Sequence, residues 1–203
     1  FDLYWLFRVI YFVSYLIFSW RAYKREARVD WMSEVHKLAD WRRVHHLIFL
    51  PTYKESYEIL RGALIALSRS TYPTDRMIVV LGGEGRDQAN FERHAERLKR
   101  EFAGKFWQLI VTVHPAGLPD EIPGKGSNLH YAGHEAQRMI DTLGIPYEKV
   151  VVSSFDVDTC VHSQYFSYLT YLYLTHPNPT RSSYQPVALY SNTIWDAPSP
   201  VRV

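Results

Sequence analysis

Short apolar runs alternate with helical patterns along most of this 203-residue chain. The runs of strand length cover residues 45–50, 77–82, 107–113 and 149–155, and the helical patterns cover 55–69, 89–103 and 127–143. Alternation of this kind is typical of an α/β fold, in which helices cover both faces of a mostly parallel sheet. Gly144 and Pro146 predict the end of the last of these helices.

Composition limits the size of the fold and the classes of partner. A hydrophobic content of 47% over 203 residues predicts one sizeable core, hence one domain with an appendage. The net charge of +2 gives no long basic stripe, which disfavours nucleic-acid binding. Cys160 is the only cysteine, so an internal disulfide is excluded, and we expect its thiol to be a small buried filler.

Two carboxylates follow the fourth apolar run, as Asp156-Val157-Asp158. A strand that ends there places both acids at the carboxyl edge of the sheet, where open α/β sheets bind ligands. Mg²⁺ or Mn²⁺ at this edge can bridge a carboxylate to a diphosphate, so the pattern predicts a nucleotide diphosphate ligand. The alternative interpretation is a strand end followed by a solvated acidic turn.

Four segments in a fixed order resemble the family 2 glycosyltransferases, which are membrane-associated enzymes with a GT-A fold. The resemblance covers residues 45–158, and its segments read HHLIFLPTYKE at 45–55, LSRSTYP leading into MIVVL at 67–81, GKGSNL at 124–129 and DVD at 156–158. It implies a Rossmann-like GT-A sheet that binds a nucleotide sugar.

The resemblance also implies a role for individual side chains. Asp158 would coordinate Mn²⁺ or Mg²⁺ bound to the diphosphate, and Asp156 would contact the ribose or base side of the donor. Lys125 would add a positive charge near the phosphates, although a solvated loop lysine is the alternative. Further donor-binding candidates follow the first two strands: Pro51, Thr52, Tyr53, Glu55 and Glu84, with Asp87 as a weaker one. For Glu55 the alternative is an acid in the first turn of a helix.

By resemblance, the reaction is a metal-dependent, inverting transfer of sugar from a UDP- or GDP-sugar to a polysaccharide or lipid-linked acceptor. Inverting members need a carboxylate base, usually in a Glu-Asp pair, and no such dipeptide occurs in this chain. We therefore expect the base beyond Val203, and an incomplete domain that binds the donor but is inactive alone. The segment Arg181–Pro200, with Tyr190 and Trp195, is expected to begin the acceptor side.

Two other function classes remain open. A hydrolase of the haloacid dehalogenase type also uses two such aspartates, but Cys160 stands where that signature has Thr or Val. A non-catalytic subunit that binds nucleotide sugar or acts as a scaffold is compatible with the missing base.

An apolar, aromatic segment precedes the α/β pattern. Residues 3–20 have Arg8 as their one charged residue, and 18 helical residues reach about 27 Å, close to the hydrocarbon thickness of a bilayer. We expect residues 1–30 to form a transmembrane or interfacial helix with a basic flank, and residues 31–203 to form the GT-A domain. A buried aromatic helix is the alternative. Basic residues after the segment predict a cytoplasmic domain by the positive-inside rule. No small-residue cleavage site follows the segment, which argues against a secretory signal.

His130 and His134 share one face of a predicted helix. Their i, i+4 spacing is compatible with zinc, but Tyr131 stands where the metalloprotease motif H-E-x-x-H has its glutamate. From sequence we therefore favour a histidine pair without a metal.

Overall fold

The structure, a computed structural model, describes residues 2–119 and 121–186, which contain six α-helices, four β-strands and five short 3-10 helices. The predicted residues Tyr190 and Trp195 lie outside this part. In chain order the elements are α1 (Asp2–Glu26), α2 (Trp31–His36), β1 (His45–Pro51), α3 (Tyr57–Ser68), β2 (Met77–Glu84), α4 (Gln88–Glu101), β3 (Gln108–His114), α5 (Lys125–Leu143), β4 (Val150–Ser154) and α6 (Tyr165–Thr175).

The four strands form one parallel sheet in the order β3-β2-β1-β4. The chain builds β1, β2 and β3 outward in one direction and then returns to place β4 on the other side of β1. The strand order therefore reverses between β1 and β4. In open α/β sheets such a reversal opens a crevice outside the carboxyl ends of the strands, where ligands bind. The predicted α/β fold with a parallel sheet is confirmed.

Helices cover both faces of the sheet because alternate side chains of each strand point to opposite faces. Ile48 and Leu50 of β1 face one core, which α3 and α4 close with residues such as Leu64 and Leu98. Leu47 and Phe49 face a second core, closed by α5 through Ala132, Ala136 and Ile140. Both faces of β1 and β2 are apolar, which explains why these strands read as continuous hydrophobic runs.

Most predicted boundaries agree with the structure to within two residues. Gly144 ends α5 with a left-handed φ of 64°, as predicted. The sequence of residues 31–43 predicts one short helix with Ser33 as its N-cap, and this prediction is wrong in extent, since α2 ends at His36 and a separate 3-10 helix covers Trp41–Arg43. The N-cap of α2 is Asp30, which accepts a hydrogen bond from the amide of Ser33.

α1 is long and apolar enough to cross a membrane by length and composition, and a signal sequence near an N-terminus meets the same criteria. None of its residues is buried against the described part of the chain. The predicted apolar helix is confirmed, and the described part of the chain leaves its apolar side chains exposed.

The end of α1 and the start of α2 pack on α6. The Trp31 amide donates to Gln164 Oε1 over 2.7 Å, and the Trp31 ring lies 4.2 Å from the ring of Tyr168. The Tyr168 hydroxyl donates to Glu26 Oε2 of α1 over 3.2 Å. The helical spacing of the apolar and aromatic residues in this segment predicts core packing, and Leu169 and Tyr173 on the inner side of α6 are buried as this spacing predicts.

Candidate functional site

Polar side chains from all four strands meet at the carboxyl edge of the sheet. Thr52 follows β1, Glu84 ends β2, His114 ends β3 and Asp156 follows β4. Because the four strands are parallel, all of these positions lie at one edge. Lys125 joins them as the first residue of α5. This edge is the candidate site.

The Asp156-Val157-Asp158 loop presents both carboxylates to solvent. Phe155 and Val157 are buried, whereas Asp156 and Asp158 are exposed, so the side chains alternate between core and solvent. The Phe155 amide donates to the carbonyl of Phe49 over 3.1 Å, which fixes the loop beside the end of β1. The sequence predicted outward-facing acids at this rim, and the structure places them there.

Cys160 lies two residues beyond this loop and is exposed. The prediction that its thiol is a buried filler is wrong. The local reason is that the chain between β4 and α6 has left the sheet and runs along the surface, with Val161 as the neighbour that packs against the core.

Lys125 and Asp156 form an ion pair between Nζ and Oδ1. Their side chains are 50% and 71% exposed, and a pair this open contributes less than about 1 kcal/mol to stability because water competes for both charges. A positive charge and a carboxylate therefore meet where the strand order reverses between β1 and β4, and both stay accessible to a ligand. The alternative of a lysine solvated in a loop does not describe Lys125, which begins α5 and is paired.

The loop after β1 is folded around the carboxylate of Glu55. Glu55 Oε2 accepts from the Thr52 hydroxyl over 2.6 Å and from the Tyr53 amide. Lys54 between them has a φ of 66°, a left-handed conformation that non-glycine residues seldom adopt. α3 begins only at Tyr57, with Ser56 as its N-cap, so the alternative of Glu55 as a first-turn helix acid is wrong. Pro51 is the last residue of β1 and is half-buried.

A buried cluster of charged and imidazole groups lies at the ends of β2 and β3. His114 Nδ1 lies 3.5 Å from Glu84 Oε2, and its Nε2 lies 3.0 Å from Glu121 Oε2. Arg86 lies 3.5 Å from the same Glu84 oxygen, and its guanidinium stacks 4.5 Å from the Tyr53 ring centroid. Glu84, a predicted donor-binding residue, is thereby linked to the loop after β1.

His114 was not among the residues singled out from sequence, because a histidine that ends an apolar run carries no motif. Its contact with Glu121 ties this residue to the end of β3. A cavity of about 10 Å³ remains between residues 115–118 and Glu84, enough for about one water molecule. Asp87, the weaker candidate, accepts a hydrogen bond from Asn90 over 3.2 Å.

Asn128 is a second residue to which sequence reasoning gave no role, although it belongs to the GKGSNL segment. Its side-chain amide is buried and donates to the carbonyls of Gly82 over 3.0 Å and Gly83 over 3.3 Å. The Gly82 carbonyl also accepts from the Thr52 amide over 2.8 Å. Asn128 therefore fixes the first turn of α5, and with it Lys125, against the ends of β1 and β2.

The carboxylates at this edge fit a hard divalent cation that brings other ligands with it. In residues 2–119 and 121–186, no group of three or more His, Cys, Asp or Glu side chains is arranged to hold a metal ion. Mg²⁺ is commonly bound by one or two carboxylates together with substrate phosphates and water. Asp158 and Asp156 suit that mode of binding.

Comparison of the chain with protein-family models finds no match, and comparison with curated proteins finds none either.

A cavity of about 720 Å³ lies along the outer edge of β4, between this strand and residues 179–186. Its walls include β4 itself and the side chains of Tyr165, Leu169 and Tyr173. β4 has one hydrogen-bonded neighbour, β1, among the described strands, so this cavity follows the open edge of the sheet. The convergent charged groups lie at the carboxyl edge, and we place the candidate site there.

Proposed function

We propose that this protein is a glycosyltransferase with a Rossmann-like GT-A domain, which moves sugar from a UDP- or GDP-sugar to a polysaccharide or lipid-linked acceptor with inversion. One observation carries the proposal. The exposed Asp156 and Asp158 lie at the strand-order reversal, and Lys125 at the start of α5 is paired with Asp156. A cation beside two carboxylates at this position suits a diphosphate that arrives with a divalent metal ion.

Each group at the edge has a role in this proposal. Lys125 and the first amides of α5 attract the phosphates, since a helix N-terminus carries partial positive charge. Asp158 would hold Mn²⁺ or Mg²⁺ together with the diphosphate, and the ion would supply positive charge for the leaving group. Asp156 exchanges its contact with Lys125 for the donor. Thr52, Tyr53 and Glu55 hold the nucleoside from the loop after β1.

The proposal places the domain at the cytoplasmic face of a membrane. α1 supplies the apolar length, and Arg21, Lys24 and Arg25 at its end with Arg28 beyond it supply the positive charge that favours the cytoplasmic side. A membrane position suits an acceptor that is lipid-linked or a growing polysaccharide.

Binding of nucleotide sugar without transfer is the second candidate. The sequence has no Glu-Asp pair to deprotonate an acceptor. In this case the same side chains bind the same ligand, and only the release of nucleoside diphosphate from the sugar distinguishes the two functions.

Calorimetry on the wild type and on Asp158→Ala tests the binding site. We expect UDP or GDP to bind only with Mn²⁺ or Mg²⁺, and the variant to lose about tenfold or more in affinity, which is about 1.4 kcal/mol or more. Asp75→Ala is the matched control, because Asp75 is an exposed aspartate just before β2, at the opposite edge of the sheet. Equal affinity in wild type and Asp158→Ala, or indifference to a chelator, contradicts the proposal.

Lys125→Met tests the phosphate contact. We expect this change to weaken nucleoside diphosphate about tenfold and to leave the free nucleoside unaffected, since the lost charge acts on the phosphates. Lys149→Met, just before β4 at the amino edge, is the control. Equal weakening of diphosphate and nucleoside contradicts a phosphate role for Lys125.

A further inference from the structure

Two imidazole rings converge on the outer surface of α5. His130 and His134 are both exposed, and their Nε2 atoms lie 3.3 Å apart. The ring centroids are 4.6 Å apart and the ring planes are inclined by 85°. Residues at i and i+4 share a helix face, but this spacing alone does not decide where the ring nitrogens point. Here the two Nε2 atoms lie within hydrogen-bonding distance of each other.

The separation of the two nitrogens fits the bite of a tetrahedral metal ion. With metal–nitrogen bonds of about 2.0–2.1 Å and tetrahedral angles, neighbouring ligand nitrogens lie about 3.3–3.4 Å apart. The observed 3.3 Å agrees with this value without movement of the backbone. We propose that His130 and His134 form a surface chelate for a first-row divalent cation that prefers imidazole, namely Zn²⁺, Ni²⁺ or Cu²⁺.

The two neutral rings can bind the metal by a change of tautomer alone. Without a metal, one Nε2–H donates to the other Nε2, which requires opposite tautomers in the two neutral rings. On binding, the shared proton leaves Nε2 and the donating ring takes the Nδ1–H tautomer. Both Nε2 lone pairs then coordinate the cation, and the pair releases no net proton.

The chelate differs in chemistry from the candidate site at the sheet edge. Asp156 and Asp158 offer oxygen ligands, which suit Mg²⁺ and Mn²⁺, whereas two imidazoles favour the later metals, with Cu²⁺ bound most tightly. No third His, Cys, Asp or Glu in the described part of the chain joins the pair to complete a metal site. Water or an external donor fills the other positions, so the ion stays accessible to a partner molecule. This inference does not depend on the proposed glycosyltransferase function.

Titration of tag-free protein with ZnCl₂, NiCl₂ or CuCl₂ tests the chelate by calorimetry. We expect one metal ion per chain to bind more tightly than any other. His130→Gln and His134→Gln should each weaken its affinity about tenfold or more, because each removes one nitrogen ligand. His176→Gln, which changes an exposed histidine directly after α6, leaves the affinity of this site unchanged. Excess Mg²⁺ does not displace the metal, and the order of affinity places Cu²⁺ first.

His134→Cys supplies a second line of testing, because a thiolate is also a zinc ligand. We expect this variant to retain zinc affinity that His134→Gln loses, with far-UV circular dichroism confirming that each variant is folded. Wild-type affinity in both glutamine variants overturns the proposal. An equal loss of metal affinity in His176→Gln also overturns it. So does a His134→Cys variant that loses zinc affinity as His134→Gln does.

Discussion

Gly82→Ala is the perturbation for which the structure gives the sharpest expectation. A Cβ atom added at Gly82 lies 2.4 Å from Asn128 Oδ1 and 3.4 Å from Asn128 Cγ. Real Cβ contacts essentially never fall below 3.0 Å, so the Asn128 side chain has to retreat by at least 0.6 Å, the difference between 3.0 and 2.4 Å. Asn128 is only 2% exposed, which leaves it no route into solvent.

Two opposing effects determine the free-energy change. Retreat of the amide lengthens its 3.0 Å bond to the Gly82 carbonyl beyond hydrogen-bonding range, and a buried polar group left unpaired costs about 1–3 kcal/mol. Crowding in a packed core costs about 1–3 kcal/mol more. Against these, alanine in a strand interior regains about 0.5–1 kcal/mol of backbone entropy relative to glycine. The loss of contacts is larger, and we expect destabilisation by about 2–3 kcal/mol.

Urea denaturation followed by tryptophan fluorescence, in detergent that solvates α1, measures this change. Gly62→Ala in α3 is the matched control, since no atom lies within 4 Å of its added Cβ, and it should stabilise by about 0.5–1 kcal/mol. Asn128→Ala removes the clash, so Gly82→Ala in that background should cost little further. A Gly82→Ala variant within about 0.5 kcal/mol of wild type, or additive effects of the two changes, would refute the reasoning.

Two predictions concern pH. Burial lowers the pKa of His46 to about 3, so folding disfavours its protonation, and stability present above the ordinary histidine pKa of about 6.5 is lost as pH falls below it. We expect a loss of about 2 kcal/mol between pH 7.5 and 5 in urea titrations, and a shallower dependence in His46→Gln; equal slopes contradict this. The Tyr57 hydroxyl, with Arg61, lowers the pKa of Glu101, so its contribution is present at neutral pH and lost in acid below the ordinary glutamate range. Melting temperatures of Glu101→Gln should therefore fall less on acidification than those of wild type, and an identical fall contradicts the assignment.

The strands were predictable from sequence because a strand that is buried on both faces is apolar at successive positions. Ile48 and Leu50 face one core while Leu47 and Phe49 face the other, so β1 has to be apolar throughout. The position of Asp156 at the carboxyl edge then follows from the rules of parallel α/β sheets, whereas the strand order β3-β2-β1-β4 was not predicted, because these rules permit several orders. Gly144 likewise marks a position where the backbone needs a left-handed conformation.

The cluster around His114 was not predictable in the same way. Its partners Glu84 and Glu121 are 30 and 7 residues away along the chain, and no spacing rule relates them. Asn128 was present in a recognised segment, but its partners are backbone carbonyls, which carry no sequence signal. The start of α2 was predicted wrongly for a related reason. Asp30 and Ser33 are both residue types that favour the N-cap, and only the local geometry decides between them.

The segment between α1 and α2 contacts α6 and the residue that precedes it. The Trp31 amide donates to Gln164, the residue that precedes α6, and Gln164 follows Asp158 by six positions. The aspartate loop is thus held at one end by β4, through the bond from Phe155 to Phe49, and at the other by residues next to α1. These contacts join the end of the apolar helix α1 to the segment that follows the aspartate loop. Under the proposed function, such a connection would relate the donor site to a membrane-borne acceptor.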